Sequence, residues 1–307
     1  MVEPMYRIGL LKMTTQTGLS TAFAKRWNGL KVQIDEALSP RSASSPKRWL
    51  RTPSLKQGGE VCLFVAYAPN GEFSDHSLFH AKAWADEGYQ VVLIAVVNDL
   101  ACVTADDLDR LEFAAGVLVR ENAGHDFGAW SAAIMDLLPQ LQDTAVLGVV
   151  NDSLYGPLAG FAELIERVRT LDADVIGAVE SVEWLRHFQS YMLFFKPQAI
   201  QSQAFSRFWG NVRNVPKGIV IRRYELRLRL RMDRAGLRCA ALFPYRPGDP
   251  INPSLFGWRT LLARGFPFVK VTTIRADPGG ERIEGWPEIM ADHGYDPRLV
   301  YRHLEII

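Results

Sequence analysis

From residue 61 to residue 180 the chain alternates short apolar runs with segments of helical period, and few folds accept that pattern. VCLFVAY (61–67) ends at a Pro-Asn-Gly turn, and YQVVLIAVV (89–97), VLVRE (117–121), AVLGVV (145–150) and DVIGAVE (174–180) are runs of similar kind. Their length and bounding turn residues predict strands. The segments between them, 77–88, 106–116, 128–141 and 161–171, place apolar residues at helical spacing and predict helices. Strands apolar on both faces, each followed by a helix, form a parallel sheet covered on both sides. The predicted fold is therefore α/β, a mostly parallel central sheet flanked by helices. Sheets of this kind bind ligands beyond the carboxyl ends of their strands.

Two polar clusters fall at such ends. RENAGHDFGAW (120–130) leaves one predicted strand and runs into a helix, and VVNDSLYGP (149–157) leaves the next strand. Arg120, Asn122, Asp126, Asn151, Asp152 and Ser153 are thus expected over the same edge of the sheet. Gly124 and Gly128 permit a tight turn or a close ligand approach. A hard divalent cation carrying substrate phosphates needs only one or two carboxylates and water. Asp152 is the candidate metal ligand, with Mg²⁺ or Mn²⁺ as the ion. The competing reading is structural: Asn122 and Asp126 cap the following helix, and Asn-Asp-Ser makes a turn.

The whole-chain charge of +1 over 307 residues names no polyanionic partner and gives no case for nucleic acid. Cys62, Cys102 and Cys239 are scattered, form no metal-binding spacing and are odd in number, so a reducing, cytoplasmic setting is expected. No apolar run reaches the ~20 residues of a membrane span. The first sixty residues carry ten Lys/Arg against four Asp/Glu and include SPRSASSPKRWLRTPS (39–54). That composition predicts a basic extension over 1–60, loop or tether rather than core. Trp49 and Leu50, flanked by Lys47, Arg48 and Arg51, suit an anionic lipid surface.

RENAGHDFGAW, VVNDSLYGPL, HFQSYMLFF, FSRFW and NPSLFGWRTLLARGFPFVK follow one another in an order that resembles the rhamnan synthesis protein F family. The similarity runs from about residue 61 to the end. His125 stands where that family more often has tyrosine. The resemblance implies a bacterial cell-surface polysaccharide glycosyltransferase with the A-type, Rossmann-like fold. It puts Asn-Asp-Ser (151–153) where such enzymes carry an Asp-x-Asp-like motif, with one carboxylate instead of two. Asp152 would then lie at the donor diphosphate, with Arg120, Asn122 and Asp126 lining the nucleotide or sugar pocket.

IRRYELRLRLRMDRAGLRCAAL (221–242) alternates like a strand for a few residues, but its length, helix formers and Gly236 favour a helix. In many inverting A-type enzymes an acidic pair opens a helix here, and its second acid deprotonates the acceptor. Glu225 occupies that second position, and Tyr224 replaces the first acid. The bland alternative for Glu225 is a solvated residue favourable to the helix dipole. His187 is the second base candidate, and Asp249 in the loop PYRPGDPINPS (244–254) the third. Gln189, Asn252 and Lys270 are candidate acceptor or phosphate contacts.

The expected organisation is the basic extension, then one glycosyltransferase domain over 61–307 closed by a C-terminal helical cap. The expected activity moves a sugar, such as rhamnose or another deoxyhexose, from a nucleotide-diphosphate donor to a lipid-linked or oligosaccharide acceptor of an O-antigen or rhamnan type. The expected site is the cytoplasm, peripheral on the inner face of the bacterial plasma membrane. The alternatives are a non-catalytic nucleotide- or glycan-binding subunit of a polysaccharide assembly complex and a nucleotide-sugar hydrolase.

Overall fold

A computed structural model describes residues 38–277 and 283–306, and Pro40–Ile307 forms one compact unit. Its centre is a mixed sheet built from strands β1 (Lys47–Arg51), β2 (Glu60–Tyr67), β3 (Gln90–Val97), β4 (Ala114–Glu121), β5 (Val146–Asn151), β7 (Val175–Ser181), β9 (Met192–Phe195) and β10 (Cys239–Phe243). Between them in the chain lie the two-residue strands β6 (Leu154–Tyr155) and β8 (His187–Phe188), and β11 (Val269–Lys270) follows. The spatial order is β1-β4-β3-β2-β5-β9-β7-β10, with β8 on β7 and a separate β6–β11 ladder. The β4-β3-β2-β5 block and the β7–β10 pair are parallel, as the alternation requires. β9 runs antiparallel between β5 and β7.

The connections create the feature that positions the site. From β2 the chain steps outward to β3 and β4, then returns to the other side of β2 with β5. The helix α1 (Asp75–Asp86) makes the first crossover and α2 (His125–Leu141) the return. Strand order therefore reverses between β2 and β5, and at such a switch point the loops diverge to leave a crevice. The strand alternation sends Cys62, Phe64 and Ala66 into the core shared with Trp84 of α1 and Phe161, which opens α3 (Phe161–Thr170). Val61, Leu63 and Val65 enter the opposite core with Trp130 of α2 and Trp209 of α4 (Gln203–Gly210). The buried Trp130 indole N–H donates to the carbonyls of Leu63 and Val150 at 3.2 Å each, so α2 is pinned across the junction of β2 and β5.

Three sequence expectations are corrected. The segment 39–54 is not simply a loop, because Lys47–Arg51 is an edge strand antiparallel to β4. Its polar groups are engaged in the fold: Lys47 pairs with Asp136 at 2.7 Å, and the Trp49 indole donates to the same carboxylate at 3.1 Å. Arg48 donates to the carbonyls of Leu100 and Val103, and Arg51 to those of Leu111 and Ala114. The remainder of the basic leader, 1–37, lies outside the described residues. The helix expected over 106–116 is a short 3-10 segment, Ala105–Leu111, opened by a Thr104–Asp107 capping box; pairing with β3 draws Ala114–Gly116 into β4. The helix expected over 221–242 stops at Arg234, where Gly236 takes a φ of 81°. Beyond it, Arg238 and Asp174 exchange backbone and side-chain bonds that start β10 alongside β7.

Removing residues 1–39 should leave a cooperative melt. A chain beginning at Lys56 lacks β1 and exposes the β4 edge, and calorimetry should show its midpoint lower by roughly 5 °C or more, with aggregation.

Candidate active site

The first cluster sits on the turn from β4 into α2. Gly124 and His125 both have positive φ, 75° and 54°, and together swing the chain from strand to helix. A Cβ on Gly124 would meet the Ser42 hydroxyl at 2.5 Å, so glycine is needed for space as well as for φ. Arg120 is fully buried beneath this turn and donates to the Ala123 carbonyl at 2.7 Å. Burial pushes its guanidinium down to about 10, partly offset by Glu121. Arg120 thus braces the loop from inside instead of lining a donor pocket. Asn122 is exposed, and its backbone N–H donates to the Val97 carbonyl. Neither Asn122 nor Asp126 caps α2, whose cap residue is Gly124.

Asp126 lies in the first turn of α2 and reaches across to the second cluster. Its Oδ2 accepts from Asn151 Nδ2 at 2.8 Å, and Asn151 Oδ1 accepts from Ser153 Oγ at 2.5 Å and Ser153 N at 3.2 Å. Asp152 stands at the switch point. Its Oδ2 accepts from the backbone N–H of Tyr67 at the end of β2, at 2.7 Å, while its own N–H donates to the Val65 carbonyl. Burial pushes the Asp152 carboxyl up to about 7; the Tyr67 bond opposes this and the Asp126 charge adds to it. Burial also raises Asp126, against the Asn151 bond and the charges of Lys217 and His125. The single carboxylate of Asn-Asp-Ser therefore has a second carboxylate beside it, contributed from 26 residues upstream. Two desolvated carboxylates that resist ionising together suit a hard divalent cation. Among the described residues no group of three or more His, Cys, Asp or Glu side chains gathers, so protein would supply only part of such an ion's shell.

A third group faces this pair. Glu225 ends a single π-helical turn, Ile221–Glu225, that leads into α5 (Leu226–Arg234). Such turns recur at functional sites because they re-aim a side chain. Its carboxylate lies 3.9 Å from Nε2 of the buried His187. His187 Nδ1 donates to the Leu185 carbonyl at 2.7 Å, which leaves Nε2 to accept from Gln189 at 3.3 Å. Gln189 Oε1 in turn accepts from Lys270 at 3.3 Å, and the Lys270 ammonium lies 5.6 Å from the centre of the Tyr191 ring. Burial holds Lys270 below its ordinary range, with Glu225 acting in the opposite sense. The exposed Lys217 lies within electrostatic reach of Asp126, His125 and Lys270.

Asp249 is not brought into that group, and Asn252 adjoins it only through Glu183, whose charge acts on Lys270. Asp249 accepts from Arg264 at 3.1 Å and from the Arg246 backbone at 2.8 Å, and Asn252 donates to Glu183 at 2.8 Å. Both brace loops. Residues that sequence reasoning missed include Lys217, whose Pro-Lys-Gly context carries no signal, and Tyr67, which acts through its backbone. His76 was missed as well: its Nε2 contacts the Asp152 carbonyl at 3.1 Å from behind.

A doubly covered sheet with carboxyl groups gathered beyond its switch point defines an α/β protein of the doubly wound class. The chain belongs to the rhamnan synthesis protein F family, whose model matches residues 93–307. It is similar to the virulence protein VirA of Vibrio anguillarum, 26% identical over 302 residues, spanning 84% of this chain and 95% of VirA. It is also similar to the uncharacterized protein y4gN of Sinorhizobium fredii, 27% identical over 200 residues, 62% of this chain and 49% of y4gN. Among solved structures, it is similar to 4-diphosphocytidyl-2C-methyl-D-erythritol synthase, with a TM-score of 0.36 and 14% identity over 62% of this chain and 90% of that one. The bifunctional glycosyltransferase WbbM, in its apo form, gives 0.33 and 10% over 62% and 40%.

The raised Asp152 has a signed consequence. The folded state holds that proton up to about pH 7, whereas an unfolded aspartate releases it near 4, so stability falls as pH rises through this window. Asp152→Asn should therefore melt above the parent at pH 8, and the gain should shrink toward zero as pH falls to about 4. Paired thermal melts across that range check it.

Proposed function

We propose that the protein is an A-type glycosyltransferase of polysaccharide synthesis that moves a sugar from a nucleotide-diphosphate donor to a glycan acceptor with inversion. The observation that carries this reading is the pair of raised carboxyls, Asp126 and Asp152, at the switch point, with Lys217 within reach of Asp126 and of Lys270, and Glu225 within reach of Lys270. The family's name, rhamnan synthesis protein F, supports polysaccharide as the product and rhamnose as the sugar to try first.

The donor diphosphate binds at the carboxylate pair. Asp152, with Asp126 beside it, would hold a Mg²⁺ or Mn²⁺ ion, which would supply the positive charge that two carboxylates and a diphosphate need to share one crevice. Asn151 and Ser153 hold the pair in register by their hydrogen bonds. Lys217 and Lys270 neutralise charge that develops on the departing phosphate. Glu225 accepts the proton of the acceptor hydroxyl as that oxygen attacks the anomeric carbon from the face opposite the nucleotide. His187, with Nδ1 committed to the Leu185 carbonyl and Nε2 to Gln189, positions Gln189 instead of serving as the base. The glycan acceptor, free or lipid-linked, enters on the Glu225 side.

The test is nucleotide release from a panel of nucleotide sugars, dTDP-rhamnose first, with and without divalent cation and an oligosaccharide acceptor. Glu225→Gln should lower turnover by about 10² to 10⁴ and leave donor affinity unchanged, because the residue faces the acceptor. Asp152→Asn should lower turnover by about 10² or more and weaken donor binding in calorimetry. Unchanged turnover in Glu225→Gln would remove it as the base. Donor binding without acceptor-dependent release under any condition would instead identify a binding subunit.

A further inference from the structure

We propose that the loop tip formed by Trp184, Leu185 and Ile251 is a membrane-insertion knob that docks the protein on an anionic lipid surface beside the cleft. Soluble proteins rarely leave large apolar side chains clustered in water without a partner for them. Here Trp184 is 76% exposed, Leu185 50% and Ile251 54%, and they lie on two loops that backbone hydrogen bonds hold side by side. These loops leave the carboxyl edge of the sheet, Val182–Arg186 after β7 and 244–252 after β10. The Ile251 carbonyl accepts from the backbone N–H groups of Val182 and Glu183 and from the Ser181 hydroxyl, which ties the loops together.

The tip is held, not loose. Trp184 takes a φ of 68°, a left-handed conformation that a bulky residue keeps only when its surroundings over-determine it. Those surroundings are the Glu183–Ser181 bond at 3.1 Å, the Leu185 N–H to Glu183 carbonyl bond at 2.8 Å and the Asn252–Glu183 bond. A solvent-facing tryptophan on a braced turn, with two exposed aliphatic residues on the same pair of loops, matches the water–bilayer interface, where an indole buries its ring and keeps its N–H wet. The charges suit an anionic surface. Arg186 and Arg246 are exposed at the base of the tip, Glu183 is turned to Asn252, and Asp249 is neutralised by Arg264. Glu180, which Arg186 approaches at 3.5 Å, is buried and also paired with Arg229.

The position gives the contact a use. The knob leads directly into His187, and the Leu185 carbonyl is the group that orients its ring. A bilayer engaged by Trp184 therefore lies next to the Glu225 side of the cleft, where a lipid-linked saccharide would enter. That consequence rests on the proposed function. The docking itself does not, since vesicle binding needs neither donor nor acceptor and its failure is separable from a failure of catalysis.

Flotation of the full chain with phosphatidylcholine vesicles, with and without phosphatidylglycerol, tests the proposal. The parent should float with the anionic vesicles. The combined variant Trp184→Ser, Leu185→Ser, Ile251→Ser should partition at least roughly 10-fold less, because it removes the inserted apolar area. Arg186→Gln with Arg246→Gln should abolish most of the preference for anionic lipid. Brominated lipid should quench tryptophan fluorescence in the parent and quench less in Trp184→Phe, a variant conservative enough to keep the fold. No flotation of the parent, equal flotation of the parent and the triple variant, or equal quenching in Trp184→Phe would each overturn the proposal. So would a triple variant that floats normally but loses saturation-transfer signals from methyl α-rhamnopyranoside, since the tip would then be a sugar platform.

Discussion

Asp152 carries a carboxyl that burial holds near 7, beside a second raised carboxyl, and the fold is arranged to keep it there. The unfavourable placement is possible because β2 and β5 diverge where strand order reverses. At that point a backbone N–H from one strand, that of Tyr67, is free to bond a side chain on the next. Behind the loop, His76 contacts the Asp152 carbonyl, stacks on His303 with ring centres 3.9 Å apart, and belongs to a group in which the Tyr155 hydroxyl meets His303 at 2.9 Å. Burial depresses His76 to about 3 and His303 to about 4, so this backing is neutral through the physiological range. A neutral support adds no charge to the cleft, and it couples the C-terminal helix Arg298–Ile306 to the loop that bears the acid.

The cleft divides its charge by strand. The acidic side, Asp126 and Asp152, comes from β4's exit and β5's exit. The opposite side, Glu225, His187, Gln189 and Lys270, comes from the antiparallel excursion around β8 and β9, from the π-helical turn before α5 and from β11. Lys217 stands in the field of both. That separation keeps the two raised carboxyls apart from the depressed Lys270, which bonds the neutral Gln189. The strand β9 is what makes it possible: by running antiparallel between β5 and β7, it delivers Gln189 and Tyr191 to the same edge as the ends of the parallel strands.

The basic, tryptophan-bearing segment at 47–51 shows how composition misleads about surfaces. Lysine and arginine there look like lipid ligands, yet they bond Asp136 and the carbonyls of the 100–114 connection, and so close the outer edge of the sheet. An edge strand needs charged side chains to stay soluble, and that requirement produces the same composition as a membrane leader. The apolar tip that does face solvent lies instead in loops whose sequence, Val-Glu-Trp-Leu-Arg, carries no such basic signature.

The alternation of apolar runs and helical periods was enough to determine the parallel strands β2, β3, β4, β5 and β7 and the edge to which their polar ends point. The reason is local: a strand buried on both faces and a helix buried on one leave different periods, whatever their partners. The same logic placed Asn151, Asp152 and Asp126 above the sheet. It could not pair Asp126 with Asp152, seat His187 against Glu225, or find Lys217, because those contacts join residues far apart in the chain. Nor could it separate the end of the Arg-rich helix from β10, since strand pairing with β7 decides that boundary. Tertiary structure also set Arg120 beneath the turn that follows β4 and paired Asp249 with Arg264. Whether a polar side chain faces a cleft or a buried carbonyl depends on which neighbour desolvates it, and only packing chooses that neighbour.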